Sequence, residues 1–284
     1  MGVIVQAVLV GMLVAVAGTI PRNIAFAANL RYFQSVPWAV PVTAGYLWLF
    51  WRYLDGVGPP RETADRRRAS LRASRVDRRV WGWALLTGGL GIAALVIALR
   101  LLNRMVALPS QQLPNLSNVP AVTVVALLLM AAPVAGIVEE AAFRGYMQGP
   151  IERRYGLAVA ILITGTMFAV AHLDFTPILW PYYVAVAALY GSITHITGSI
   201  LPAVVLHTAG NLYSNFDLWW NGQAEWQAPA DATALVWTSG PDASFWGLFG
   251  ALLLASAAAA WAFRGLVRAA RTAPDIDSAV TAGA

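Results

Sequence analysis

Glu139-Glu140-Ala141-Ala142-Phe143-Arg144 places two carboxylates and a guanidinium inside an otherwise apolar run, Ala121 to Met147. A helix of about 20 apolar residues crosses a bilayer, so the run is long enough to span one. A charge near the bilayer centre is expensive unless water or neighbours compensate it, and it marks a functional site by default. Glu139 is read as the centre of a buried reaction site, with His172, His207 and Asn211 as its partners.

The surrounding composition fixes the solvent. Of 284 residues, 58% are hydrophobic and 12% charged, against roughly 25% charged in soluble domains. So few charges cannot cover a solvated globule, and the chain is an all-α polytopic membrane protein. Cysteine is absent, which excludes disulfides, thiol nucleophiles, zinc fingers and iron–sulfur clusters. All the basic residues are arginine, and they cluster at the ends of apolar segments. That pattern fits membrane orientation rather than nucleic-acid binding. Arginine without lysine, with many alanines, points to a GC-rich bacterial genome and hence to the bacterial inner membrane.

Outward from the acidic pair, the chain divides into about eight transmembrane helices. Residues 1–119 hold spans at Val3–Ile20, Val36–Tyr53 and Val80–Leu102, with Arg22–Gln34 as a short connection. The second span is rich in tryptophan and tyrosine, which favour the interface. Leu54–Arg79 is the soluble basic loop, 54–79, and serves as a cytoplasmic topology determinant or as a binder of anionic lipid headgroups. Residues 120–215 hold the charged span to Met147, a bend at Gly149-Pro150, and spans at Leu157–His172, Ile178–Ile196 and Ile200–Ser214. Residues 216–284 hold a long polar loop, a last span at Phe245–Phe263 and a basic tail. The loop at 54–79, Glu152-Arg153-Arg154 and the tail are assigned to the cytoplasm together with the N-terminus. Arg22, Arg31, Arg100 and Arg104 then fall on the outer side and count against this scheme, but the large basic loop outweighs them.

Helical spacing separates the two glutamates. Glu140 and Arg144 are four apart and share a face, so an ion pair lowers the burial cost of both. Glu139 is rotated away by about 100°, and its carboxylate is free for another partner. That suits a general base taking a proton from water. The other reading is a purely structural charge network between helices. His172 closes the apolar run that follows, one helical turn after Phe168. His207 and Asn211, four apart, project together and either join helices by hydrogen bonds or donate to an oxyanion. His195 and Asp174 read as membrane-edge residues. One feature fits badly. Glu139 would lie about 12 Å from the cytoplasmic end of its span, and His172 about 22 Å from that end.

Glu139-Glu140-x-x-x-Arg144, Phe168-x-x-x-His172 and His207-x-x-x-Asn211, in this order, resemble the CPBP family of intramembrane proteases. These are the CAAX prenyl endopeptidases and bacteriocin-processing enzymes, also called the Abi family. Gly145-Tyr146, Glu152-Arg153-Arg154 and Thr197-Gly198-Ser199 are similar too, and the resemblance covers roughly Pro120–Asn215. It implies a helical membrane endopeptidase in which Glu139 activates water, His172 assists, and His207 and Asn211 stabilise the oxyanion. Glu140 and Arg144 would hold the helices. The implied partners are membrane lipids and a membrane-associated peptide or protein, with no nucleic acid. Zn²⁺ on Glu139, His172 and His207 would leave a site for water. There is no His-Glu-x-x-His run, however, and a glutamate-based site needs no ion, so the glutamate mechanism is preferred and metal dependence stays open. The alternatives are a non-enzymatic binding protein of the bacteriocin-immunity type and, less favoured for want of an inverted repeat, a transporter.

Overall fold

The structure is a computed structural model that describes residues 2–108, 116–172, 176–222 and 235–273. Asp174, Glu225 and Asp231 lie outside these residues. Every regular element among the described residues is helical, as an all-α membrane-type protein requires.

The first helix, α1, runs from Val3 to Tyr32 without interruption, which corrects the expected span end at Ile20 and the connection at Arg22. Pro21 lies inside the helix, and its missing N–H cannot reach the Ala17 carbonyl. The Tyr46 hydroxyl on α2 (Ala39–Leu54) donates to that carbonyl at 2.7 Å, so the helix loses little by continuing. Asn29 makes the turn into α2. Its amide nitrogen donates to the Phe33 and Val36 carbonyls and its oxygen accepts from the Ala39 N–H.

The basic stretch 54–79, read as a loop, contains regular structure. It folds into α3 (Ala64–Leu71), with Leu71 fully buried. Arg67, also buried, donates to the carbonyls of Tyr53, Gly58 and Pro60 and gathers the preceding turn around itself. Asp77 then caps α4 (Arg78–Met105), accepting from the Arg79 and Val80 N–H groups. Such a cap satisfies helix donors that have no partner inside the helix.

The charged span starts as α5 (Ala121–Glu139), widens into π-helix over Glu140–Gln148, and ends as α6 (Gly149–Tyr155). It therefore carries through Gly149-Pro150 rather than ending near Met147. Proline is tolerated there because it falls in the first turn of α6, where its N–H is not needed. After α7 (Leu157–Ala171) and α8 (Trp180–Thr197), Thr197-Gly198-Ser199 forms the expected tight turn into α9 (Leu201–Asn221). The chain closes with α10 (Val236–Ser239) and α11 (Ala243–Thr272).

Each of the eight apolar segments read from the sequence becomes a helix. By length and composition, Val3–Tyr32, Arg78–Met105, Ala121–Tyr155 and Ala243–Thr272 are candidate membrane spans, and Leu157–Ala171 is apolar but shorter. The chain forms two compact units, Met1–Ser74 with Asn115–Asn215 and Arg75–Pro114 with Phe216–Ala284. In the second, α4 packs along α11, Trp83 meets Trp261 edge to face, and Arg104 pairs with Asp242 at 3.0 Å. All the candidate site residues belong to the first.

Candidate active site

The π-helical stretch begins one residue after Glu139. Its i→i+5 bonding widens the turn, and such segments recur at functional sites. All nine of its residues are buried. Gly145 within it lies against the Ser70 and Leu71 carbonyls of α3, so closely that a Cβ would meet them at 2.9 and 3.1 Å. The Tyr146 hydroxyl donates to the Arg67 carbonyl. The residues after the arginine thus dock α3 onto the charged helix.

Glu140 and Arg144 are wholly buried and pair at 2.9 Å, as their spacing predicted. The same carboxylate oxygen, Oε1 of Glu140, accepts from His207 Nδ1 at 2.7 Å. On its other edge, His207 Nε2 lies 3.6 Å from Oε2 of Glu139. One imidazole therefore stands between the two glutamates. Gly136 allows α9 to come this close. A Cβ there would overlap the Thr208 hydroxyl and meet the Val204 carbonyl at 2.9 Å, so the two backbones are nearly in contact one residue from His207. Close helix approach through small residues is the usual packing mode in membranes.

Aromatic rings surround the charges. Arg144 lies over Phe168 and Tyr190 at 5.1 and 5.3 Å, and Tyr190 stacks on His207 at 5.2 Å. Such faces stabilise a desolvated guanidinium. His172 lies against the same Phe168 ring at 4.5 Å and against Tyr183 at 5.0 Å, while Phe168 also meets His207 at 6.1 Å. His172 Nδ1 is 2.8 Å from the Phe168 carbonyl. Asn211 donates to the His207 carbonyl one turn back. Glu139, Glu140, Arg144 and His207 are thus in one cluster, His172 borders it through Phe168, and Asn211 follows His207 along α9.

The expected mismatch in depth disappears because the charged helix extends to Tyr155. Counted from there, Glu139 lies about 24 Å in, and His172 lies about 22 Å from Leu157. Phe143, one turn after Glu139, packs edge to face on Phe168 at 5.2 Å.

Among the described residues, no three His, Asp or Glu side chains are grouped to hold a metal ion. Within the set Glu139, His172 and His207, Glu139 lies 3.6 Å from His207, and Nδ1 of both histidines already faces a protein oxygen. The residue that sequence reasoning left out is Arg22. It is partly buried on α1, and Glu139 is the carboxylate whose charge acts on it. Its signal was a charge close to an apolar run, hidden by the span end expected at Ile20.

Glutamates, an arginine and histidines from separate helices are thus gathered in the interior of a helical membrane protein. Residues 121–213 match the family model described as type II CAAX prenyl endopeptidase, Rce1-like. The matched segment contains every residue of the cluster from Glu139 to Asn211 and is consistent with the CPBP family, a protease family of membranes. Neither the comparison with curated proteins nor that with solved structures gives a match.

Proposed function

We propose that the protein is an intramembrane endopeptidase that cleaves a membrane-associated peptide or protein with water activated by Glu139. The observation that carries this is the imidazole of His207 between Glu140, at 2.7 Å, and Glu139, at 3.6 Å, inside the matched segment. A carboxylate only accepts, so His207 Nδ1 carries the hydrogen toward Glu140. That contact orients the ring, and an imidazole with hydrogens on both nitrogens donates from Nε2–H toward the Glu139 side of the site.

The Phe168 carbonyl also only accepts, so His172 Nδ1 carries a hydrogen and, in the neutral ring, Nε2 is the nitrogen that accepts. Water placed between Glu139 and His172 gives its proton to Glu139 and its oxygen to the scissile carbonyl carbon. The oxyanion takes hydrogen bonds from His207 Nε2–H and the Asn211 amide, the charge stabilisation that usually contributes most in acyl transfer. Glu139 returns the proton to the leaving nitrogen, the C–N bond breaks, and the products are a carboxylate and an amine. Glu140 and Arg144 act by holding His207. Asn211 would have to turn from the His207 carbonyl to take part.

By the arginine distribution we place both termini in the cytoplasm of a bacterial plasma membrane, with lipids and the substrate as the partners. The test uses membranes from cells carrying Glu139→Gln, incubated with purified protein. Wild type is expected to convert a membrane polypeptide into two fragments, while purified Glu139→Gln leaves it intact. Cleavage by a folded Glu139→Gln protein would remove the base from the mechanism. Metal analysis of the same preparation, with activity after chelation, decides whether Zn²⁺ takes part.

A further inference from the structure

The face that α1 turns toward the charged helix is a seam of small residues broken by one charge. Its buried positions include Ala7, Gly11, Val14, Gly18, Ala25 and Asn29, spaced four, three, four, seven and four apart. Arg22 fills the gap of seven, four residues after Gly18 and three before Ala25. Gly18 itself lies against Val138, where a Cβ would overlap that side chain, and Gly11 lies against Met147 and the Ala142 carbonyl. The two helices therefore run antiparallel, with Gly18 level with the residue before Glu139.

One turn after the Gly18 that lies against Val138, the neighbour of Glu139, comes Arg22. Its Nε is buried with no hydrogen-bond acceptor, and its guanidinium otherwise lies 5.6 Å from the Phe26 ring. A charge on such a face needs a partner of opposite sign nearby. Arg144, the other cation of the cluster, is already engaged by Glu140.

We infer that Arg22 is the counter-charge of Glu139, a positioning residue on the first helix that holds and aims the Glu139 carboxylate. The charge coupling stands on its own, whereas its service to hydrolysis rests on the function proposed above. Arg22 thus gives Glu139 a cation from a separate helix, as Arg144 serves Glu140 from its own. The pairing also explains why α1 continues through Pro21, since a helix ending at Ile20 would leave Arg22 off the seam.

The experiment is a double-mutant cycle of thermal unfolding on the full-length protein in one detergent, with Arg22→Met, Glu139→Gln and the pair. Arg22→Met is expected to lower the melting temperature by several degrees, because it strands Glu139, and adding Glu139→Gln should recover at least half of that loss. Losses that simply add would overturn the inference. Arg22→Lys, which keeps the charge, should retain most of the stability. In cells it should clear the polypeptide that accumulates with Glu139→Gln, whereas Arg22→Met leaves it uncut. Wild-type clearance by Arg22→Met, or a lysine variant no better than methionine, would also overturn it. If Arg22→Met yields no folded protein, Arg22→Gln is compared with and without Glu139→Gln. Recovery of folded protein only in the double variant supports the pairing, and equal recovery refutes it. If Glu139→Gln cells accumulate nothing, the hydrolase reading fails while the thermal cycle still decides the pairing.

Discussion

The helix Ala121–Tyr155 carries two clusters of the same three residue types, twelve residues apart. At Glu140 the partners are Arg144 and His207, at 2.9 and 2.7 Å. At Glu152 they are Arg72 and His195, at 3.2 and 2.6 Å, with Gln148 joining at 3.0 Å. The distances barely differ, but the burial does. Glu140 and Arg144 are fully enclosed, whereas Glu152 and Arg72 are each 14% exposed and His195 is 46% exposed. Water can replace a lost partner in the second cluster and not in the first. Composition and geometry alone therefore do not say which cluster does chemistry. The surroundings separate them, because low dielectric makes each charge in the enclosed cluster strong and each unpaired charge costly.

The comparison can be broken most forcefully at Glu140. Glu140→Ala leaves Arg144 buried without its carboxylate, and breaking a buried pair this way costs roughly 3–5 kcal/mol. The expected result is loss of most folded protein, seen by size-exclusion chromatography after extraction. Next comes Glu139→Gln, which is expected to reduce cleavage by about 10²–10⁴-fold, the usual contribution of a general base, while the protein still folds. Gly136→Val tests how α9 delivers His207. Overpacking at a backbone contact costs about 1–3 kcal/mol, and displacement of His207 should abolish cleavage even where folded protein is recovered.

The mirror change at the outer cluster, Glu152→Gln, should cost only about 1–2 kcal/mol and leave cleavage nearly unchanged, read by thermal unfolding and fragment yield. The smallest effect is expected at Asp242. Its carboxyl is held below the ordinary value by the Phe245 N–H and then by Arg104. A depressed value contributes stability that is complete above the unfolded carboxyl's titration and is lost as pH falls through the folded one. Asp242→Asn should therefore melt slightly earlier than wild type at neutral pH and together with it in strong acid.

Much of the site was legible because helical spacing survives translation into structure. The four-residue step from Glu140 to Arg144 predicted their pair, whereas Glu139 shares the imidazole of His207 with Glu140. Facts that depend on a second helix were not legible. Nothing local marks Glu140–Gln148 as π-helix, or Gly136 as the crossing point of α9. The first span was ended too early, at Ile20, because nothing local shows that the helix carries on through Pro21 and Arg22, where the Tyr46 hydroxyl of α2 takes up the Ala17 carbonyl. Arginine-rich 54–79 looked like a solvated loop because Arg67 and Leu71 reveal their burial only when α3 docks on Gly145.

The most direct test maps the chain ends of membrane proteins in cells that carry either the wild-type protein or Glu139→Gln at equal abundance. Proteolysis at Glu139 predicts at least one membrane-associated polypeptide whose internal cleavage ends vanish in the variant while the intact form accumulates. Identical end profiles from both strains, with the variant folded and inserted, would contradict the account.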